Sequence, residues 1–146
     1  MKKTALLLAS ALLLCSAAFA GPKEDENKRV VLDFYEKGLN QKDFAAAAQY
    51  FGPSYRQHNP MAPNGIEGFR KFLDYLRQNT PDSHATIVRT IAEGDYVVLH
   101  VHSQNGKDDR GRAIVDIFRL ENGKIVEHWD VIQPVPEKMA HGNGMF

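Results

Sequence analysis

The chain has 146 residues, 43% of them hydrophobic, with 18 Lys and Arg against 18 Asp and Glu. That length suits about one domain. A balanced charge without a basic stripe or arginine cluster excludes electrostatically driven binding to nucleic acid or to an anionic membrane.

The first twenty residues read as a segment apart. Lys2 and Lys3 precede an apolar run from Ala5 to Leu14, and Ala18-Phe19-Ala20 supplies a small-x-small motif before Gly21. This layout predicts a secretory signal peptide cleaved after Ala20. The run is too short for a membrane anchor. A lipoprotein reading at Cys15 fits poorly, because Leu14 stands where a small residue belongs. Cleavage removes the sole cysteine, so a periplasmic or secreted product has no disulfide and depends on its core. The 126 residues after Ala20 form one expected domain, with 16 basic against 18 acidic residues.

Gly21 to Asn27 is polar and expected to fray. From Lys28, the spacing of Val31, Phe34, Tyr35 and Gly38 predicts a helix with one apolar face. The alanine run predicts a second helix from Lys42 to Phe51, stopped by Gly52-Pro53. SYRQHNPMAPNG reads as a loop with a short extended piece at Tyr55–His58. A third helix is expected from Ile66 to Asn79, with Ile66, Phe69, Phe72, Leu73 and Leu76 on one face. Four strands follow, at 84–92, 95–103, 112–120 and 124–133, with an Asn122-Gly123 hairpin between the last two. Helices followed by antiparallel strands indicate an α+β fold.

Strand alternation places chemistry on one side. His100 and His102 share a face of their strand, Asp116 shares one with Ile114, Phe118 and Leu120, and His128 shares one with Asp130. If the strands align, these polar groups gather around a pocket beneath the helices. Val97, Leu99, Val101, Val115, Ile117, Trp129 and Val131 would then form an apolar outer face, which a second subunit would cover. A bulge in the last strand would alter this assignment.

YRQHNP, NGIEGFRKFLDYL and VDIFRLENGKIVEHWDVIQPVPE together resemble the SnoaL-like polyketide cyclase family of the NTF2-like superfamily, over about Arg29 to Glu137. The resemblance implies a cone of N-terminal helices packed on a curved antiparallel sheet around a pocket. It implies a homodimer through the outer sheet face and a cofactor-free intramolecular aldol condensation. It also places Asp116 as the acid–base group, with His102 on the preceding strand beside it.

Each residue has a plainer reading. Asp116 can pair structurally with Arg112, Arg119 or a histidine, and His102 can be a satisfied pocket histidine. Tyr55, His58 and Asn59 are expected at the pocket mouth, although Asn59-Pro60 also suits a simple turn. His100, Phe118, His128, Trp129 and Asp130 complete the expected substrate contacts, with packing or an interface as the rival role of Trp129. His-x-His with His58, His128 and Asp130 raises a metal, but no recognised ligand spacing is present, and no metal is expected. No G-x-S-x-G motif or glycine-rich phosphate loop occurs.

The expected function is therefore an exported, cofactor-free enzyme for aldol condensation, cyclisation or isomerisation of a small carbonyl compound. The competing reading is a non-catalytic periplasmic binding protein for a small apolar ligand.

Overall fold

The computed structural model describes residues 21–146; the expected signal peptide, its cleavage site and Cys15 lie outside the described residues. Helix α1 spans Pro22–Tyr35 and runs into a π-helical turn, Glu36–Asn40. Helix α2 (Phe44–Ala48), strand β1 (Phe51–Gln57) and helix α3 (Gly65–Asn79) follow. Strands β2 (Ser83–Glu93), β3 (Tyr96–Asn105), β4 (Arg112–Glu121) and β5 (Lys124–Pro134) complete the chain. One sheet has the order β1-β5-β4-β3-β2, antiparallel except where β1 runs parallel to β5.

The third helix and the four C-terminal strands lie where their periodicity puts them. Three N-terminal details differ. Helix α1 begins at Pro22 rather than Lys28, with proline preset in its first turn. Its start is held by the β2–β3 turn: Asn27 Nδ2 donates to Gly94 O at 3.1 Å and Gly94 N donates to Glu24 Oε1 at 3.2 Å. Helix α2 is one short turn, capped where Ala46 N donates to the Asp43 carboxylate at 3.0 Å. The extended piece expected at Tyr55–His58 is the end of a longer edge strand that begins at Phe51, where a helix end was expected, and at an edge Pro53 costs no ladder hydrogen bond.

The core lies between the inner sheet face and α1 and α3. Val31, Leu73, Val97, Leu99, Val101 and Ile125 are fully buried, each worth roughly 1.5–3 kcal/mol relative to exposure. Phe34 is the hub: its ring lies 5.1 Å from Phe51, 5.1 Å from Phe69 and 5.8 Å from Phe118. The π-helical turn brings Gly38 against the Phe69 ring, where a Cβ would sit 3.0 Å from Cζ. Asn40 then clamps the β2 edge, donating to Ala85 O at 3.1 Å and accepting from Ala85 N at 2.8 Å.

Register decides which side chains face inward. Leu99 pairs with Asp116 and Phe118 with His128, so Val97, Leu99 and Val101 are core and not outer face. His100 pairs with Val115 and His102 with Ala113, on the outer side. A bulge at Val126 shifts β5, so that Asp116 pairs with Asp130. The outer face carries Val98, Val115, Ile117, Trp129 and Val131 together with both β3 histidines.

Candidate active site

A cavity of about 810 Å³ opens between the inner sheet face and α3. Asp116, His128 and Asp130 stand on its floor, with Tyr35 from α1 and Tyr55, Gln57 and Asn59 from β1 and the loop after it. Phe72 and Leu76 of α3 and Ile114 and Ile132 of the sheet make its apolar walls. Among the described residues, no helix is long and apolar enough to cross a membrane.

Asp116 is 4% exposed and has a polar partner on each oxygen. Tyr35 Oη donates to Oδ2 at 3.1 Å. Burial, then the Asp116 charge and that hydrogen bond, hold the Tyr35 phenol well above its usual pKa, so it stays protonated. His128 Nε2 lies 3.0 Å from Asp116 Oδ1.

A chain of hydrogen bonds assigns the His128 protons. Asn59 N donates to Gln57 Oε1 at 2.8 Å, and Gln57 Nε2 donates to Tyr55 Oη at 3.0 Å, so both ends of the amide agree on its orientation. Gln57 Oε1 also lies 2.9 Å from His128 Nδ1, which must therefore be the donor. With a proton on Nδ1, the contact between Nε2 and Asp116 needs one further proton between them. Either His128 is an imidazolium beside a carboxylate, or Asp116 is a carboxylic acid donating to a neutral ring.

Two groups stay open to a ligand. Tyr55 Oη accepts from Gln57, which leaves its own O–H directed elsewhere, and burial with the nearby Asp116 and Asp130 charges keeps that phenol protonated. Asp130 Oδ2 accepts from Asn59 Nδ2 at 2.6 Å, while Oδ1 has no hydrogen-bond partner among the described residues. Met61 N donates to Asn59 Oδ1 at 2.7 Å and so fixes that amide as well.

Five of the expected residues thus meet: Tyr55, Asn59, Asp116, His128 and Asp130. The others do not. His102 lies on the outer face, where its Nε2 donates to Arg110 O at 2.9 Å and holds the loop before β4. That loop returns so tightly at Gly111, φ +79°, that a Cβ would meet Ser103 O. The expected pairing of His102 with Asp116 is therefore corrected. His100 is also outside, accepting on Nδ1 from Arg89 at 2.8 Å. His58 falls one residue off the inward alternation of Tyr55, Gln57 and Asn59. It bonds Glu127 Oε1 at 2.8 Å and stacks on Trp129 at 4.7 Å, which takes both rings away from the cavity. Phe118 faces inward but is buried in the core beneath Tyr35 and His128.

Tyr35 and Gln57 are site residues that sequence reasoning passed over. In the sequence Tyr35 is one residue of an apolar helix face. Gln57 would have followed from reading Tyr55–Asn59 as alternating extended chain. Asp116, His128 and Asp130 also bring three potential ligand atoms within 4.8 Å of one another. Tyr35, Gln57 and Asn59 support them from behind, as outer-shell partners support metal ligands. A cation there would stand in place of the proton shared by Asp116 and His128.

The SnoaL-like domain model matches residues 31–128. The chain belongs to the SnoaL-like family. No curated protein matches the sequence. Among solved structures, a Jannaschia sp. protein described as a "putative SnoaL-like polyketide cyclase" is 21% identical, with a TM-score of 0.66 over 80% of this chain and 91% of that one. A protein from Bacillus cereus described as a "putative polyketide cyclase" is 22% identical, with a TM-score of 0.65 over 73% and 74%. An NTF2-like protein of unknown function from Cytophaga hutchinsonii is 23% identical, with a TM-score of 0.61 over 74% and 90%. At these identities the likeness establishes the fold: this SnoaL-like chain has the NTF2-like arrangement of helices on a mostly antiparallel sheet.

Proposed function

We propose that this SnoaL-like protein is a cofactor-free acid–base enzyme acting on a small carbonyl compound, by aldol condensation, cyclisation or isomerisation. The observation that carries the reading is the proton which the geometry requires between Asp116 and His128 on the floor of a largely apolar cavity. His128 takes the place expected for His102.

The parts suit enolisation. Tyr55 O–H donates to the carbonyl oxygen and stabilises the charge that develops there. Asp130 Oδ1 takes the proton from the adjacent carbon: the C–H bond breaks and an O–H bond forms. For an aldol step the enolate carbon then bonds a second carbonyl carbon, whose oxygen receives the proton held by Asp116 and His128. Transfer from Asp130 to its register partner Asp116 restores the starting state. For an isomerisation the proton returns to a different carbon.

Hydrogen–deuterium exchange at the carbon next to a carbonyl, followed by NMR across a panel of ketones, tests this. Exchange that is catalysed by the parent and lost in Asp130→Asn supports it. Binding without any exchange would make the chain a binding protein. Stoichiometric metal in protein purified without chelator would overturn the cofactor-free reading.

We also propose export to the periplasm or beyond, on the strength of Lys2-Lys3, the Ala5–Leu14 run and Ala18-Phe19-Ala20, and a homodimer through the outer sheet face. Val131 at 72% exposed and Ile91 at 63% support that face as a contact surface.

A further inference from the structure

Three layers of side chains lead from the floor of the cavity along the strands. Asp116 and Asp130 form the first, Ile114 and Ile132 the second, and Arg112, opposite Ser103 on β3, the third. All six line the cavity. Four residues along β4 separate Asp116 from Arg112, about 13 Å at the usual strand rise. The acidic end and the cationic end are thus held apart by an apolar spacer.

Arg112 is exposed and makes no ion pair or side-chain hydrogen bond among the described residues; the same is true of Lys71, which lines the same cavity from α3. The carboxylates that feel these cations are already engaged. Asp109 accepts from the backbone of Asn105 and Gly111, and Glu67 is paired with Arg70. The cavity therefore presents two unspent positive charges, while its floor carries the Asp130 carboxylate, which repels an anion.

Resting on the acid–base reading of the floor, we infer that the substrate class is an elongated carbonyl compound with a carboxylate at its far end. The carbonyl meets Tyr55 and Asp130, the ring or chain lies against Ile114 and Ile132, and the carboxylate meets Arg112, with Lys71 adding a second positive charge on the cavity wall. A guanidinium fork suits a carboxylate in two-point contact. The charge pattern also sets direction, because a reversed ligand would place its anion against Asp130.

Isothermal titration with 6-hydroxy-2-naphthoate, its methyl ester and 2-naphthol tests the inference. The parent is expected to bind the acid about tenfold more tightly than the ester, the gain of one charge-assisted contact. The double variant Lys71→Gln/Arg112→Gln loses that preference and binds 2-naphthol as the parent does; both side chains are exposed, so the fold is unaffected. Equal binding of acid and ester by the parent, or a preference that survives in the double variant, overturns the anion site. The Tyr55→Phe variant separates the two readings. Weaker binding of all three probes supports the floor, whereas unchanged binding with the acid preference intact sinks the floor reading and leaves the anion site standing. Failure of every probe to bind the parent overturns both.

Discussion

His128 and Asp116 face each other at 3.0 Å across β4 and β5, and the ring nitrogen on the far side of His128 is committed as a donor to Gln57. One proton must therefore lie between them, buried, at the end of a cavity. Replacing Asp116 by Asn keeps the shape and removes the acid. Loss of about 10²–10⁴-fold in turnover is expected, the usual worth of a positioned acid–base group. His128→Ala should add a stability cost of about 1–3 kcal/mol by leaving Asp116 short of a partner. Parallel rate measurements and chemical denaturation check both, and full activity in Asp116→Asn removes that residue from the mechanism.

Tyr55→Phe tests a different part. The O–H that points away from Gln57 disappears, while the ring keeps its place against Phe51 at 4.5 Å. A fall of about 10²–10³-fold in kcat is expected if that proton stabilises an oxyanion, with a stability loss limited to the one hydrogen bond from Gln57, about 0.5–1.5 kcal/mol. A variant that turns over like the parent shows that the oxyanion is held elsewhere.

Glu127 predicts a pH dependence of stability. Its hydrogen bond to His58, then the hydrogen bond and charge of Arg119, hold its pKa below the usual 4.5 despite burial. A depressed carboxylate stabilises the fold above the unfolded value, and that stability is lost as pH falls through the folded value. Glu127→Gln should therefore unfold at lower denaturant at pH 7, and the gap from the parent should close as the medium is taken well below pH 4.5. A gap that stays constant with pH would show that the carboxylate charge is not involved.

The outer face predicts assembly. Light scattering on the eluting parent should give a dimer mass, and Val131→Asp should give a monomer. The cavity lies on the opposite side of the sheet, so probe binding should survive. A monomeric parent at tens of micromolar would end the proposal of that interface.

Export has a direct readout. Expression of the full chain in a Gram-negative host should yield periplasmic protein whose N-terminal sequence begins at Gly21. Cytoplasmic protein beginning at Met1 would contradict it.

Much was legible in the chain. Periodicity located α3 and all four C-terminal strands, because the apolar faces of those elements repeat at the intervals that helix and strand geometry impose. Alternation correctly grouped His128 with Asp130 and His100 with His102. The alanine run is helical as expected, but the helix ends at Ala48 and not at Phe51, because Phe51 and Tyr55 gain more by joining the Phe34 and Phe69 cluster from an edge strand.

The sequence by itself determined the types of α1, α3 and the four C-terminal strands, the polar residues that share a face within each strand, and the α+β class. Only the tertiary structure decided which of those faces meet. An even number of residues in the loop 104–111 pairs odd positions of β3 with even positions of β4, so Leu99, not His100 or His102, stands beside Asp116. The two-residue turn at Asn122-Gly123 would similarly have turned His128 and Asp130 away from Asp116, and the bulge at Val126 reverses this. A slip of one residue exchanges the two faces of a strand, and such slips are set by turn length and bulges that must also satisfy packing across the whole sheet.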